Sequence, residues 1–117
     1  KALVEAGCDV LACETVPCLL EARALARLLG ELQHPAWVTF SRRSETEVHS
    51  GDRFADCVAA VAACEHIVGA GVNCTDPSFV SGLVSECRRV LPASKHVVVY
   101  PNSGEVWCGT THTWGSG

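Results

Sequence analysis

Hydrophobic and polar positions along this chain follow two alternating rhythms. Four short, continuous apolar runs stand out: CDVLAC at 8–13, AWVTF at 36–40, HIVGAGV at 66–72 and VVVY at 97–100. Each reads as a strand, and strands without a polar face belong to a sheet covered on both sides. Between them the apolar positions take helical spacing. Leu25, Leu28, Leu29 and Leu32 recur at i, i+3, i+4 and i+7. A second stripe holds Phe54, Cys57, Val58 and Val61, and a third Val80, Leu83, Val84 and Cys87. Punctuation agrees with this reading. Pro17 suits a first helical turn, Asp52 suits a helix cap after the polar loop 41–51, and Asp76-Pro77 makes a cap-then-proline start. After Gly104 the chain turns polar, and it closes on Gly115-Ser116-Gly117.

Strand and helix signals that alternate at this spacing predict an α/β fold of parallel βαβ units. Two architectures satisfy the pattern, a doubly wound sheet or part of a (β/α)8 barrel. A complete barrel needs about 250 residues, so four strands and three helices in 117 residues approach half of one. The chain has no Met and opens on what reads as mid-helix sequence, which predicts an internal piece of a longer protein.

Composition narrows the class. Apolar residues make up 48% and charged residues 19%, too apolar for a disordered chain. No apolar run reaches the ~18 residues that a membrane span requires. The net charge is −4, and basic residues cluster no further than Arg42-Arg43 and Arg88-Arg89, which argues against a nucleic-acid partner. Eight cysteines are present without any CxxC spacing. Most sit inside apolar periodic segments, where a thiol behaves as a small hydrophobe, so the reading is a reduced, cytoplasmic protein. The sequon Asn73-Cys74-Thr75 carries no weight in that compartment.

In either architecture functional groups gather where strands end. Those positions hold Glu14, Ser41, Asn73-Cys74 and Pro101-Asn102-Ser103. A carboxylate, a thiol and an amide would thus face one rim. Cys74 precedes a predicted helix start, and a helix N-terminus favours the thiolate that binds metal or attacks an electrophile. A buried packing role for Cys74 stays open at this point. So does a helix-dipole role for Glu14 and a turn role for Asn102 in PNSG. Gly69-Ala70-Gly71 fails as a dinucleotide loop, because Cys74 occupies the third glycine position and the glycines precede the strand end. Cys108 and His112 form a C-x3-H pair with no second pair to complete a zinc site.

The segments DVLACETVPCLLEARAL, VGAGVNCTDP and VVVYPNSGEVW resemble the homocysteine S-methyltransferases. The likeness is to the branch that uses S-methylmethionine or S-adenosylmethionine, which includes selenocysteine methyltransferases. It runs through nearly the whole chain. The resemblance implies a (β/α)8 barrel, of which residues 1–117 would supply strands four to seven of a single domain that continues at both ends. It implies a zinc ion held by Cys74 and by two adjacent cysteines of a GGCC motif that this chain lacks. It also implies substrate contacts by Glu14, at the homocysteine amino group, and by Asn102, near the metal. The loop Ser41-Arg42-Arg43-Ser44-Glu45 departs from the family pattern and bears on the donor side of the reaction.

The implied chemistry is coherent. A free thiol has a pKa near 8.5 and is mostly protonated at neutral pH, whereas a zinc-bound thiol is deprotonated. Homocysteine sulfur would then attack a sulfonium methyl in line. A different class of function is a non-catalytic barrel piece that acts only as a binding segment. A GGCC motif in the continuing reading frame separates the two.

Overall fold

The computed structural model describes residues 2–44, 46–75, 77–101, 106–108 and 113–115. A short helix α1 (Ala2–Glu5) leads into β1 (Leu11–Val16), α2 (Leu19–Leu32) and β2 (Ala36–Phe40). Then come α3 (Phe54–Ala62), β3 (Ile67–Thr75), a 3-10 turn at Pro77–Phe79, α4 (Val80–Val90) and β4 (His96–Pro101). A hairpin of β5 (Val106–Cys108) and β6 (Thr113–Gly115) follows. No described helix is long and apolar enough to cross a membrane.

The four long strands form one parallel sheet in the order β1-β2-β3-β4. The strand order never reverses, as it would at the centre of a doubly wound sheet. Right-handed crossovers in that order carry every connecting helix to the same face. Contacts of α2 with α3 and of α3 with α4 agree with this.

Register assigns the two faces. Val38 pairs with Ala70 and Phe40 with Val72, while Ala70 pairs with Val97 and Val72 with Val99. These residues face the helices. Phe40 meets Phe54 of α3 edge to face, with ring centroids 6.1 Å apart. The expected α3 stripe of Phe54, Cys57, Val58 and Val61 is fully buried there. In α2 the buried positions are Ala22 and Leu29, and Leu28, expected in the stripe, is 48% exposed. In α4 Leu83 and Cys87 are buried, while Val80 and Val84 sit at the margin. Burial pushes the Cys57 thiol pKa up to about 11 and the Cys87 thiol up to about 12. Both are packing residues. Among the described residues, Cys8, Cys13, Cys18, Cys57, Cys64 and Cys87 are free thiols.

Three local expectations are corrected. The first strand runs Leu11–Val16, three residues later than the apolar run suggested, so Glu14 lies within it. Asp52 does not cap α3, whose N-cap is Arg53. Its carboxylate instead accepts the Leu19 N–H of α2 at 3.0 Å. That fills the role Cys18 leaves open, because the Cys18 side chain makes no capping bond. Finally, Pro77 opens a 3-10 turn, and the regular helix starts only at Val80. Cys74 therefore lies in the last two residues of a strand without sitting directly at a helix N-terminus.

The loop expected to be only polar also carries core. Residues 41–53 fold back through bridges Arg42–Val48 and Glu47–Arg53, and they bury Val48 completely. The Arg42 guanidinium lies 4.0 Å above the Phe79 ring.

Candidate functional site at the strand ends

The sheet face away from the helices is built differently. Strand alternation and register place Ala12, Trp37, Thr39, Gly69, Gly71, Asn73, Val98 and Tyr100 on it. The glycines are explained here. A Cβ on Gly71 would overlap the Val98 carbonyl oxygen, and one on Gly69 would come within 2.9 Å of the His96 carbonyl oxygen. They let β3 and β4 approach closely, and the GAG segment lies inside a strand rather than in a loop.

Toward the C-terminal ends of the strands this face becomes polar. Asn73 is 4% exposed and reaches from β3 across β2 to β1. Its Oδ1 accepts the Thr15 N–H at 3.1 Å and the Thr39 hydroxyl at 3.0 Å. Its Nδ2 donates to Thr15 Oγ1 at 2.6 Å. The Thr15 N–H can only donate, so it fixes which end of the amide is oxygen. Thr15 has φ of 61°, a left-handed conformation rare for a β-branched residue. The pairing shifts here: Cys13 matches Val38 and Val16 matches Phe40, so β1 takes three steps against two. Such a bulge re-aims the side chains beside it.

Glu14 is one of those side chains and is exposed. Tyr100 of β4 lies close by. Partial desolvation raises the Tyr100 pKa first, and the negative charge of the neighbouring Glu14 adds to it. The Trp37 indole N–H opposes that shift from nearby, yet it is buried without a hydrogen bond of full geometry. The carboxylate thus stands at the sheet's C-terminal rim beside the Tyr100 hydroxyl. A cleft of about 470 Å³ shares Glu14 and Thr15 with this cluster and opens along the free edge of β1, walled by Leu25 and Leu28 of α2.

Cys74 follows Asn73 directly and ends at the same rim, within β3. Asn102 and His112 lie outside the described residues. Among the described residues no three His, Cys, Asp or Glu side chains gather as a metal cage. Sequence reasoning picked out Glu14 and Cys74 but passed over Thr15, Thr39 and Tyr100. The visible signal was parity: Thr39, Asn73 and Tyr100 share one face once the register is known.

Comparison with known proteins bears on this arrangement. A profile of the homocysteine S-methyltransferase family matches residues 1–117. Homocysteine S-methyltransferase YbgG of Bacillus subtilis is 44% identical over 115 residues, covering 97% of this chain and 36% of that protein. Selenocysteine Se-methyltransferase of Brassica oleracea is 43% identical over 116 residues, covering 97% of this chain and 33% of that protein. The chain thus spans about a third of the length of these curated relatives. The metallated form of the homocysteine methyltransferase MmuM from Escherichia coli superposes with a TM-score of 0.78 at 37% identity, covering 88% of this chain and 35% of that one. Its apo form gives 0.77 at the same identity, covering 88% and 39%. With a family match over its whole length and the same strand-and-helix framework, this chain belongs to the homocysteine S-methyltransferase family.

Proposed function

We propose that the 117 residues are the middle of a (β/α)8 barrel, strands four to seven, in one domain that continues on both sides. The unreversed strand order and the helices on a single face support this reading. The complete protein transfers a methyl group from a sulfonium donor, S-methylmethionine or S-adenosylmethionine, to the thiol of homocysteine. The acceptor thiol gives up its proton, a sulfur–carbon bond forms, and the donor leaves as a neutral thioether. Methionine is the product. Its partners are small molecules rather than nucleic acid or membrane, and its compartment is the cytoplasm.

The observation that carries the reading is the meeting of Glu14, Asn73 and the end of β3 at one rim. Cys74 is a soft sulfur donor at that rim and suits zinc, with the remaining ligands outside the described residues. Zinc bound there would hold the acceptor sulfur as thiolate. Glu14 accepts from the substrate ammonium and orients it, with the Tyr100 hydroxyl beside the carboxylate. Asn102, which follows β4 in sequence, is assigned a substrate contact by the family resemblance alone.

The test uses the full-length protein. Cys74→Ala is expected to lose both zinc and methyl transfer. Cys57→Ala and Cys64→Ala are expected to keep both, since one thiol is buried on α3 and the other packs against the same core. Stoichiometric zinc and full activity in Cys74→Ala would overturn the assignment. Methyl transfer by the wild-type protein in the same assay decides against a non-catalytic role.

A further inference from the structure

We propose that Asn73 is a positioning residue whose carboxamide pins the Glu14–Thr15 bulge and thereby sets where the Glu14 carboxylate stands. This rests on the reading of Glu14 as the ammonium acceptor.

The bulge is not a conformation that β1 holds by itself. Left-handed backbone is unfavourable for any residue with a Cβ, and threonine carries a branched one. Glycine would relieve that strain, but the position holds Thr15. Its hydroxyl is used: it accepts from Asn73 Nδ2 at 2.6 Å, while the Thr15 N–H donates to Asn73 Oδ1 at 3.1 Å. Two bonds between one amide and one residue fix both the position and the rotation of that residue. Thr39, fully buried beneath them, donates to the same Oδ1 and holds the amide in turn.

The consequence falls on Glu14. Leu11 and Cys13 belong to the helix-facing set, opposite Ala36 and Val38. Val16 returns to that set, buried against the core and paired with Phe40. Only a one-residue bulge allows this, and Glu14 and Thr15 form it. Without the clamp, β1 would relax toward regular alternation, and either Glu14 would leave the rim or Val16 would leave the core. Asn73 also precedes Cys74. One strand end therefore sets the carboxylate through a side chain and carries Cys74 as the next residue of the chain.

The experiment is a double-mutant cycle in the full-length, zinc-loaded protein. Homocysteine KM, donor KM and zinc content are measured for wild type, Asn73→Ala, Glu14→Gln and the double variant. Asn73→Ala is expected to raise homocysteine KM about tenfold while donor KM and zinc stay unchanged. In the Glu14→Gln background the same change is expected to move homocysteine KM less than about twofold, because its target is already gone. An equal factor in both backgrounds would overturn the positioning role and leave Glu14's role intact. A normal homocysteine KM in Glu14→Gln would instead remove the reading on which the inference stands. If Asn73→Ala does not fold with the Thr39 hydroxyl left unpaired, Asn73→Ala combined with Thr39→Val replaces it in the cycle. That pair leaves no Thr39 hydroxyl buried without a partner, and the same outcomes decide.

Discussion

The Asp52 carboxylate accepts the backbone N–H of Leu19 at 3.0 Å, so a loop between β2 and α3 caps the helix that precedes β2. The Ser50 hydroxyl donates to the same oxygen at 2.7 Å. A helix N-terminus has unpaired N–H groups and a partial positive charge, and both favour an anion there. The Leu19 N–H, and then Ser50, hold the Asp52 carboxyl below the usual carboxylate range.

A stability change with pH follows. A carboxyl whose pKa is lowered by folding contributes stability that is fully present above its unfolded value, about 3.9, and is lost as pH falls through the folded value. Asp52→Asn is therefore expected to lower the urea midpoint of the full protein at pH 7. The gap between variant and wild type should narrow as pH is taken below about 4. Equal gaps at both pH values would show that the capping charge contributes nothing.

Glycine substitutions should separate close approach from mere flexibility. Gly71→Ala drives a methyl group into the Val98 carbonyl and should destabilise by about 2 kcal/mol or more. Gly82 lies within α4 with open space where a Cβ would sit. Gly82→Ala should stabilise by about 0.5–1 kcal/mol, since glycine is a poor residue for a helix interior. Thermal unfolding of the two variants gives the sign of each. A tolerated Gly71→Ala would mean that β3 and β4 stand further apart than described.

Glu14→Ala should raise the homocysteine KM at least about tenfold, with zinc content and donor KM unchanged. Tyr100→Phe, which removes only the hydroxyl beside the carboxylate, should raise it by a smaller factor. Steady-state kinetics with metal analysis checks both. Loss of zinc with an unchanged KM in Glu14→Ala would move that residue from the substrate to the metal.

The βαβ rhythm was legible because burial on both faces leaves strands uniformly apolar, and a one-sided helix repeats every three to four residues. AWVTF marks β2 to the residue, and the α3 stripe is buried throughout. Where side chains bond to distant backbone, the sequence was silent. Polar Glu14 and Thr15 ended the apolar run of β1, but Asn73, 58 residues further on, carries the strand past them. Asp52 looked like a cap for the adjacent helix, yet its partner is 33 residues earlier. Val48 is a lone apolar residue in a polar loop and has no periodicity to reveal its burial. The rim itself was foreseeable from topology, since parallel strands bring their C-terminal ends together. Its wiring depended on register.

The unbroken order β1-β2-β3-β4 also bears on how the chain reaches this structure. Each strand lies beside the one made just before it, and none is inserted between two earlier strands. Leu11 closes onto Ala36, Ala36 onto Ile67 and Val72 onto Val99, so every closure spans roughly thirty residues at similar entropic cost. The sheet can therefore grow by accretion in the direction of synthesis, each new βα unit docking on an edge already formed. The clamp is the exception, since Asn73 reaches over β2 to β1. It can close only after three strands are in place, which makes the arrangement around Glu14 a late event in an otherwise stepwise assembly.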